Sequence, residues 1–362
     1  MLASQKNEIT TMIHAENGDM IQWLTEKLET KGMVAPHYHA LSRPPVVEME
    51  ATNRAIALAG LIKNPILFVH IGPPLAASNV RHAQTQGMPV YAETCPQYLN
   101  LTYDDLQKSH SPTCFENSKH VCSPSPPPGT SDHDELYMRS GLQNGTFTIF
   151  SSDHCPFRYD HPHGKPSGVL EDHVSMEGEQ ACEGEALQNL VSRKSGAFRF
   201  IPNGIPGVET RLPLLYTGGL ATGRITPQKF VEISSTNPAK LYGLYPKKGA
   251  LMPGPDADIV IWHPDKQFEP FSLTNTMLHH NVDCKFFFRL VAIRLTKSDT
   301  PYEGKKFVNW PRYTILRGKV IWAHGELKGK PYDGEYLRRG PSYFGTGLKS
   351  CRTDSRRTAT WL

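Results

Sequence analysis

Four short apolar, β-branched runs separated by helix-forming stretches constrain this chain more than any other feature. They are TTMIHAE (10–16), ILFVHIG (66–72), MPVYAETC (88–95) and FTIFSSDH (147–154). Helices are predicted between them, near Glu48 to Lys63, near 76–87 and, after the Pro-rich loop SPSPPPG (123–129), near Asp132 to Asn144. Strands apolar on both faces must be covered on both faces, and intervening helices supply the crossovers that parallel pairing needs. The pattern therefore predicts a parallel α/β sheet or barrel. The later region changes character. After a helix near Pro227 to Ser234, the runs DADIVIW (256–262) and RYTILRGKVIWAHGE (312–326) predict antiparallel strands joined by a tight Gly turn.

The chain accordingly divides into a barrel-type portion (1–245) with a long polar insertion at 158–200, a small β portion (246–330) and a C-terminal tail (331–362). Within the β portion, CKFFFRLVAIRLTKSD (284–299) breaks a polar stretch with aromatic and basic residues. It reads either as a loop or as a gene-model artefact such as a retained intron.

Length and composition set the remaining bounds. With 362 residues, 38% hydrophobic and 20% charged, the chain can bury a sizeable core. Its 29 Gly and 30 Pro mean many turns, yet at about 16% they stay below the roughly 25–30% of disordered low-complexity chains. A net charge of +4 without clustering argues against nucleic acid. No apolar run reaches the ~20 residues of a membrane span, and the start MLASQKNEIT lacks a signal-type apolar segment. The expectation is a cytoplasmic protein with no membrane partner. Seven Cys without a CxxC pair fit reduced thiols better than a disulfide framework.

Three polar residues fall at or just past the C-terminal ends of predicted strands: His14, His70 and Asp153. Active sites of parallel barrels are built at that edge. Imidazole and carboxylate together suit a divalent ion such as zinc, but spacings of 56 and 83 residues form no local metal signature. A hydrogen-bonded structural role for each stays open. Among their neighbours, Cys155 lacks the His/Asp pairing of a thiol nucleophile, and His154 reads as a structural group. His37, His39, His161 and His163 read as solvent-facing loop residues. Glu16 and Asp19 read as capping or orienting a strand-to-helix turn, with Asn17 and Gly18 suited to a left-handed position. The glycines at 204 and 207 lack the helix context of a phosphate loop.

The words around these residues carry a resemblance. IHAENGDMI (13–21), SRPP (42–45), VH (69–70), AETCPQYL (92–99), VCSP (121–124), SSDHCPF (151–157), IPNGIPGVETR (201–211), STNPAKLYGLYPKKG (235–249) and PGPDADIVIWHP (253–264) resemble, in order, the motifs of the dihydropyrimidinase and hydantoinase family of cyclic amidohydrolases. The likeness is closest to fungal dihydropyrimidinases. It implies a metal-dependent TIM-like (β/α) barrel with a small β-sandwich and two zinc ions. By motif match, His14 and His70 are implied as ligands of the second zinc. Asp153 is implied as ligand of the first and as the catalytic proton shuttle, and Ser123 and Asn203 as binding the cyclic amide through backbone groups. The implied reaction opens 5,6-dihydrouracil or dihydrothymine to the N-carbamoyl-β-amino acid, in pyrimidine catabolism. Hydantoinase, allantoinase and dihydroorotase activities are the enzyme alternatives. A non-catalytic scaffold resembling the collapsin-response mediator proteins is the alternative of another class. The resemblance also implies a homo-tetramer, with an arm after about residue 330 aiding association.

The family pattern also includes an HxH pair on its first strand, a carboxylated Lys bridging the metals and an oxyanion-stabilising Tyr, none of which is found here. HYH (37–39) and HPH (161–163) fall downstream of His14. A full barrel uses eight βα units in about 250 residues, whereas four such strands precede the β portion. The expectation is an N-terminally truncated chain, carrying the second half of the barrel and with little activity alone, unless its start codon is misassigned.

Overall fold

The computed structural model describes residues 1–107, 116–128, 132–157, 164–165, 197–263, 271–273 and 300–345. Most of the 158–200 insertion, the 284–299 run, His161, His163 and the tail beyond 345 lie outside the described residues. The four predicted runs form β1 (Thr11–Ile13), β2 (Ile66–Phe68), β3 (Val90–Thr94) and β4 (Ile149–Phe150). They make one parallel sheet in the order β1-β2-β3-β4. Met12 pairs with Leu67, Leu67 with Tyr91, and Thr94 with Phe150.

Alternation along the strands decides what each face meets. Ile66, Phe68, Val90, Ala92 and Phe150 pack with Ala51, Ala55 and Ala59 of the Pro45–Ile62 helix and with Ala76, Ala77, Val80 and Ala83 of the Pro74–Thr85 helix. The small side chains let the helices lie close to the sheet. Leu67 and Ile149 turn the other way and meet Leu241, Tyr91 and Phe344. Burying a residue such as Phe68 contributes roughly 2–3 kcal/mol, so this two-sided burial is what fixes the sheet.

Two predicted helices form with shifted ends, as Pro45–Ile62 and Pro74–Thr85, and the third spans Asp132–Asn144 as predicted. Pro45 and Pro74 open theirs where the missing N–H would have no intrahelical acceptor. The Pro227–Val231 helix runs on as a wider turn to Thr236. A further helix, Gly18–Thr30, starts where Asn17 Oδ1 accepts from Met20 N at 3.1 Å. This corrects the left-handed reading: Asn17 has φ −81° and acts as the N-cap, and Gly18 lies inside the helix. A polar side chain that satisfies a free helix N–H favours extended backbone at that position.

The later strands are β5 (Ile259–Trp262), β6 (Phe271–Ser272), β7 (Lys306–Phe307), β8 (Pro311–Leu316), β9 (Lys319–Ala323) and β10 (Glu326–Leu327). An antiparallel sheet runs β10-β9-β8-β5, and β6 pairs with β7. Arg317 and Gly318, both at positive φ, turn β8 into β9. Trp262 at the end of β5 stacks on Tyr216, with ring centroids 4.8 Å apart, and meets Phe230 edge-on, which ties this sheet to the helices after the parallel one. Among the described residues no helix is long and apolar enough to cross a membrane.

Candidate active site

β1, β2 and β4 deliver His14, His70 and Asp153 to one edge of the parallel sheet. His70 and Asp153 both hold left-handed backbone, at φ +42° and +47°. For residues with a Cβ this conformation costs of order 1 kcal/mol or more, and it concentrates at functional turns. The structure brings His14 and His70 into contact: His14 Nδ1 lies 2.9 Å from His70 Nε2. His14 Nε2 donates to Glu16 Oε2 at 3.0 Å. With that ring nitrogen as donor, a neutral His14 accepts at Nδ1 and His70 Nε2 donates. His70 Nδ1 is then a buried acceptor without a partner among the described residues.

Glu16 is the hub of the site rather than a helix cap, which corrects the sequence reading. Its side chain is 4% exposed, accepts from the Ser123 hydroxyl at 2.5 Å and lies 3.9 Å from Arg43 Nε. Arg43 Nε also donates to Ser123 Oγ at 3.3 Å. Burial pushes the Glu16 carboxyl up, but the His14 and Ser123 hydrogen bonds and the Arg43 charge outweigh it and hold the group below its ordinary value. A cap reading fails because Asn17 fills that role, leaving Glu16 to face the strand edge.

Two carboxylates behind the edge were not singled out from sequence. Glu93, near the end of β3, accepts from His70 N at 3.3 Å, and burial lifts it to about 7 with help from Asp153. Glu48, in the first turn of its helix, accepts from Gly72 N at 3.1 Å and is held well above the carboxylate range by burial. The strand-end rule that marks His14 and Asp153 marks Glu93 equally. Glu48 carries no local signal, since an acidic residue in a helix's first turn is ordinary. Asp153 is itself raised by burial, against the pull of His14.

Ser123 and Asn203 lie on separate loops joined at the backbone, where Gly204 N donates to Val121 O at 3.0 Å. His39 corrects the solvent-facing reading. It is 1% exposed, and its Nε2 lies 2.9 Å from Asn203 Oδ1. The short Tyr38–Leu41 helix turns it inward against Phe198, whereas half-buried His37 stacks on Tyr38. His154 is a structural group, its Nδ1 accepting from Gly207 N and Val208 N at 3.0 and 3.2 Å. Gly204 sits at φ +150°, and a Cβ there would come within 2.4 Å of Cys155 O, so only glycine closes the Asn203 loop onto the β4 loop. Cys155 is an exposed free thiol.

Two ring nitrogens converge, but no group of three His, Cys, Asp or Glu placed to hold a metal ion occurs among the described residues. The described donor set therefore does not by itself fit a metal centre. What it forms is a polar edge with one strained carboxylate and two loops carrying Ser123 and Asn203.

The pattern of the amidohydrolase family matches residues 4–321. This chain belongs to the amidohydrolase family. A D-hydantoinase of Ralstonia pickettii is 38% identical over 328 residues, covering 91% of this chain and 60% of that protein. A solved D-hydantoinase superposes with TM-score 0.76 at 36% identity, over 94% of this chain and 63% of that one. A dihydropyrimidinase from Brevibacillus agri NCHU1002 gives 0.75 at 29%, over 94% and 62%. The chain thus spans about 60% of the length of such a relative. In this amidohydrolase the fold is of the TIM-barrel α/β kind, and β1 to β4 are its parallel strands.

Proposed function

We propose that this amidohydrolase acts on the ring amide of 5,6-dihydropyrimidines, opening dihydrouracil or dihydrothymine to the N-carbamoyl-β-amino acid. The observation that carries the reading is the arrangement at the strand edge. The His14–His70 pair is linked through Glu16 to Ser123, and the loop that carries Asp153 joins the Asn203 loop at the His154–Ile205 bridge, in a chain 38% identical to a D-hydantoinase. A hydantoin ring presents the same imide face, so hydantoins are the neighbouring substrates. In this reading the main-chain groups of Ser123 and Asn203 hold the ring. Asp153 takes a proton from the attacking water and returns it to the departing amide nitrogen, as one well-placed carboxyl can. His14, His70 and Asp153 are the metal-facing residues, zinc being the ion that suits them.

The described side chains supply too few ligands for such a centre, so we assign the chain a half-barrel with an accompanying β-sandwich portion, inactive until further ligands complete the site. The assembly would be a cytoplasmic homo-oligomer. The same shortage favours a second reading, a non-catalytic scaffold of this fold. Metal analysis of the purified chain with titration of dihydrouracil, hydantoin and allantoin tests these together. Saturable binding of dihydrouracil, with fewer than two zinc ions per chain and no turnover, is expected. Turnover by protein retaining two zinc ions overturns the incomplete centre. A chain that binds none of the three rings leaves the scaffold reading.

A further inference from the structure

We propose that Lys165 is a positioning residue of the cyclic-amide site, its ammonium tying the Ser123 loop to the Asn203 loop and setting the gap that receives the ring. The inference rests on the reading of the site given above. Lys165 Nζ donates to Val121 O at 2.7 Å and to Pro202 O at 2.8 Å. The first carbonyl lies two residues before Ser123 and the second is adjacent to Asn203. Val121 O also accepts from Gly204 N, so both its lone pairs are used in the same seam.

The chemistry of the clamp is unusual for a lysine. The residue is 2% exposed, no carboxylate pairs with it among the described residues, and its third side faces the Phe157 ring at 5.7 Å. Burial draws the amine down to about 7. Two carbonyl dipoles return only part of the hydration an ammonium loses, so a hydrocarbon side chain would fill this space at lower cost. What the ammonium adds is direction: donors aimed at two loops at once. The outer sides of those loops are held separately, Ser123 by Glu16 and Arg43, Asn203 by His39. The main-chain N–H and C=O groups of Ser123 and Asn203 make no hydrogen bond with other described residues. An imide-type ring, with carbonyls flanking an N–H, matches such a set of free donors and acceptors.

The test compares the full chain with Lys165→Met and Lys165→Gln, the latter keeping two donors without the charge. Dihydrouracil and hydantoin affinities are measured by calorimetry, and backbone hydrogen exchange is followed in peptides spanning 119–126 and 200–206. Expected are ring binding weakened by about tenfold or more in Lys165→Met, a smaller loss in Lys165→Gln, and faster exchange confined to the two loops. Wild-type affinity in Lys165→Met overturns the inference, as does unchanged exchange in both loops. If Lys165→Met does not fold, Lys165→Gln decides on the same criteria. Wild type that binds neither ring overturns the cyclic-amide reading and this role with it, and the exchange arm then reports separately whether Lys165 joins the loops.

Discussion

Glu16 concentrates three contacts in one buried carboxylate: the His14 ring, the Ser123 hydroxyl and the Arg43 guanidinium. Removing it strands a largely buried Arg43 and frees both His14 and Ser123. Glu16→Ala is therefore expected to lower unfolding free energy by roughly 3–5 kcal/mol, as breaking one side of a buried ion pair does. Chemical denaturation checks this, and a change under 1 kcal/mol would show the hub to be redundant. Lys165 gives a pH signature at the same scale. Its folded value of about 7 lies below the ordinary 10.5 of a free lysine, so between those values the unfolded chain binds the extra proton. Unfolding free energy then gains a rising contribution from pH 7 upward, at most about 1.4 kcal/mol per pH unit. The buried thiols of Cys95 and Cys122, pushed up from 9, act oppositely above that value. Over pH 7 to 8.5, stability of Lys165→Met should thus rise less steeply than wild type, and parallel curves would contradict the burial of a titrating amine. Neither residue stood out in the sequence. Glu16 sits three residues past a strand and looks like a cap, while Lys165 is one of 39 basic residues and lies in a polar stretch. What distinguishes both is desolvation, which is set by distant segments.

At the scale of elements, β-branched runs bounded by helical stretches were enough to place β1 to β4 and three of their helices. Two-sided burial writes itself into the sequence as continuous apolar residues, and Ile66, Leu67 and Phe68 are all buried. The Gly18–Thr30 helix was missed: Ile21, Leu24 and Leu28 do share one of its faces, but they are only partly buried, and the residues fully buried in it are the polar Thr25 and Glu29. The starts that proline sets, at Pro45 and Pro74, lie two to three residues before those read from the sequence, whereas the ends near Lys63 and at Asn144 were legible. The Pro45–Ile62 helix stops at Lys63, an exposed residue at φ +55° and ψ +42°. Glycine reaches that conformation without Cβ strain, although it loses more freedom on folding. Lys63→Gly is expected to raise stability by up to about 1 kcal/mol, read as a higher thermal midpoint; a lower midpoint would mean Lys63 contributes contacts of its own. Gly204 is the reverse case. With a Cβ 2.4 Å from Cys155 O, Gly204→Ala must part the loop from the His154–Ile205 bridge, at a cost of about 2–3 kcal/mol. Denaturation measurements showing no loss would mean the loop relaxes freely.

Across the whole molecule, the parallel sheet is closed on its far face by residues that follow the antiparallel one in sequence. Phe344 packs on Tyr91 with ring centroids 5.0 Å apart, Tyr91 Oη donates to Phe344 O at 2.9 Å, and Gly340 N donates to Gly243 O at 2.8 Å. Contacts 253 residues apart have no local trace, which is why the segment after residue 330 reads from sequence only as an arm. Its placement decides whether the chain covers its own sheet or lends the arm to another copy. A double-mutant cycle of Tyr91→Leu and Phe344→Leu separates the two. An aromatic pair within one chain should show a coupling of about 0.5–1.5 kcal/mol that does not change with protein concentration. Coupling that grows with concentration would place Phe344 on a neighbouring subunit, and no coupling would leave Tyr91 and Leu67 without their cover.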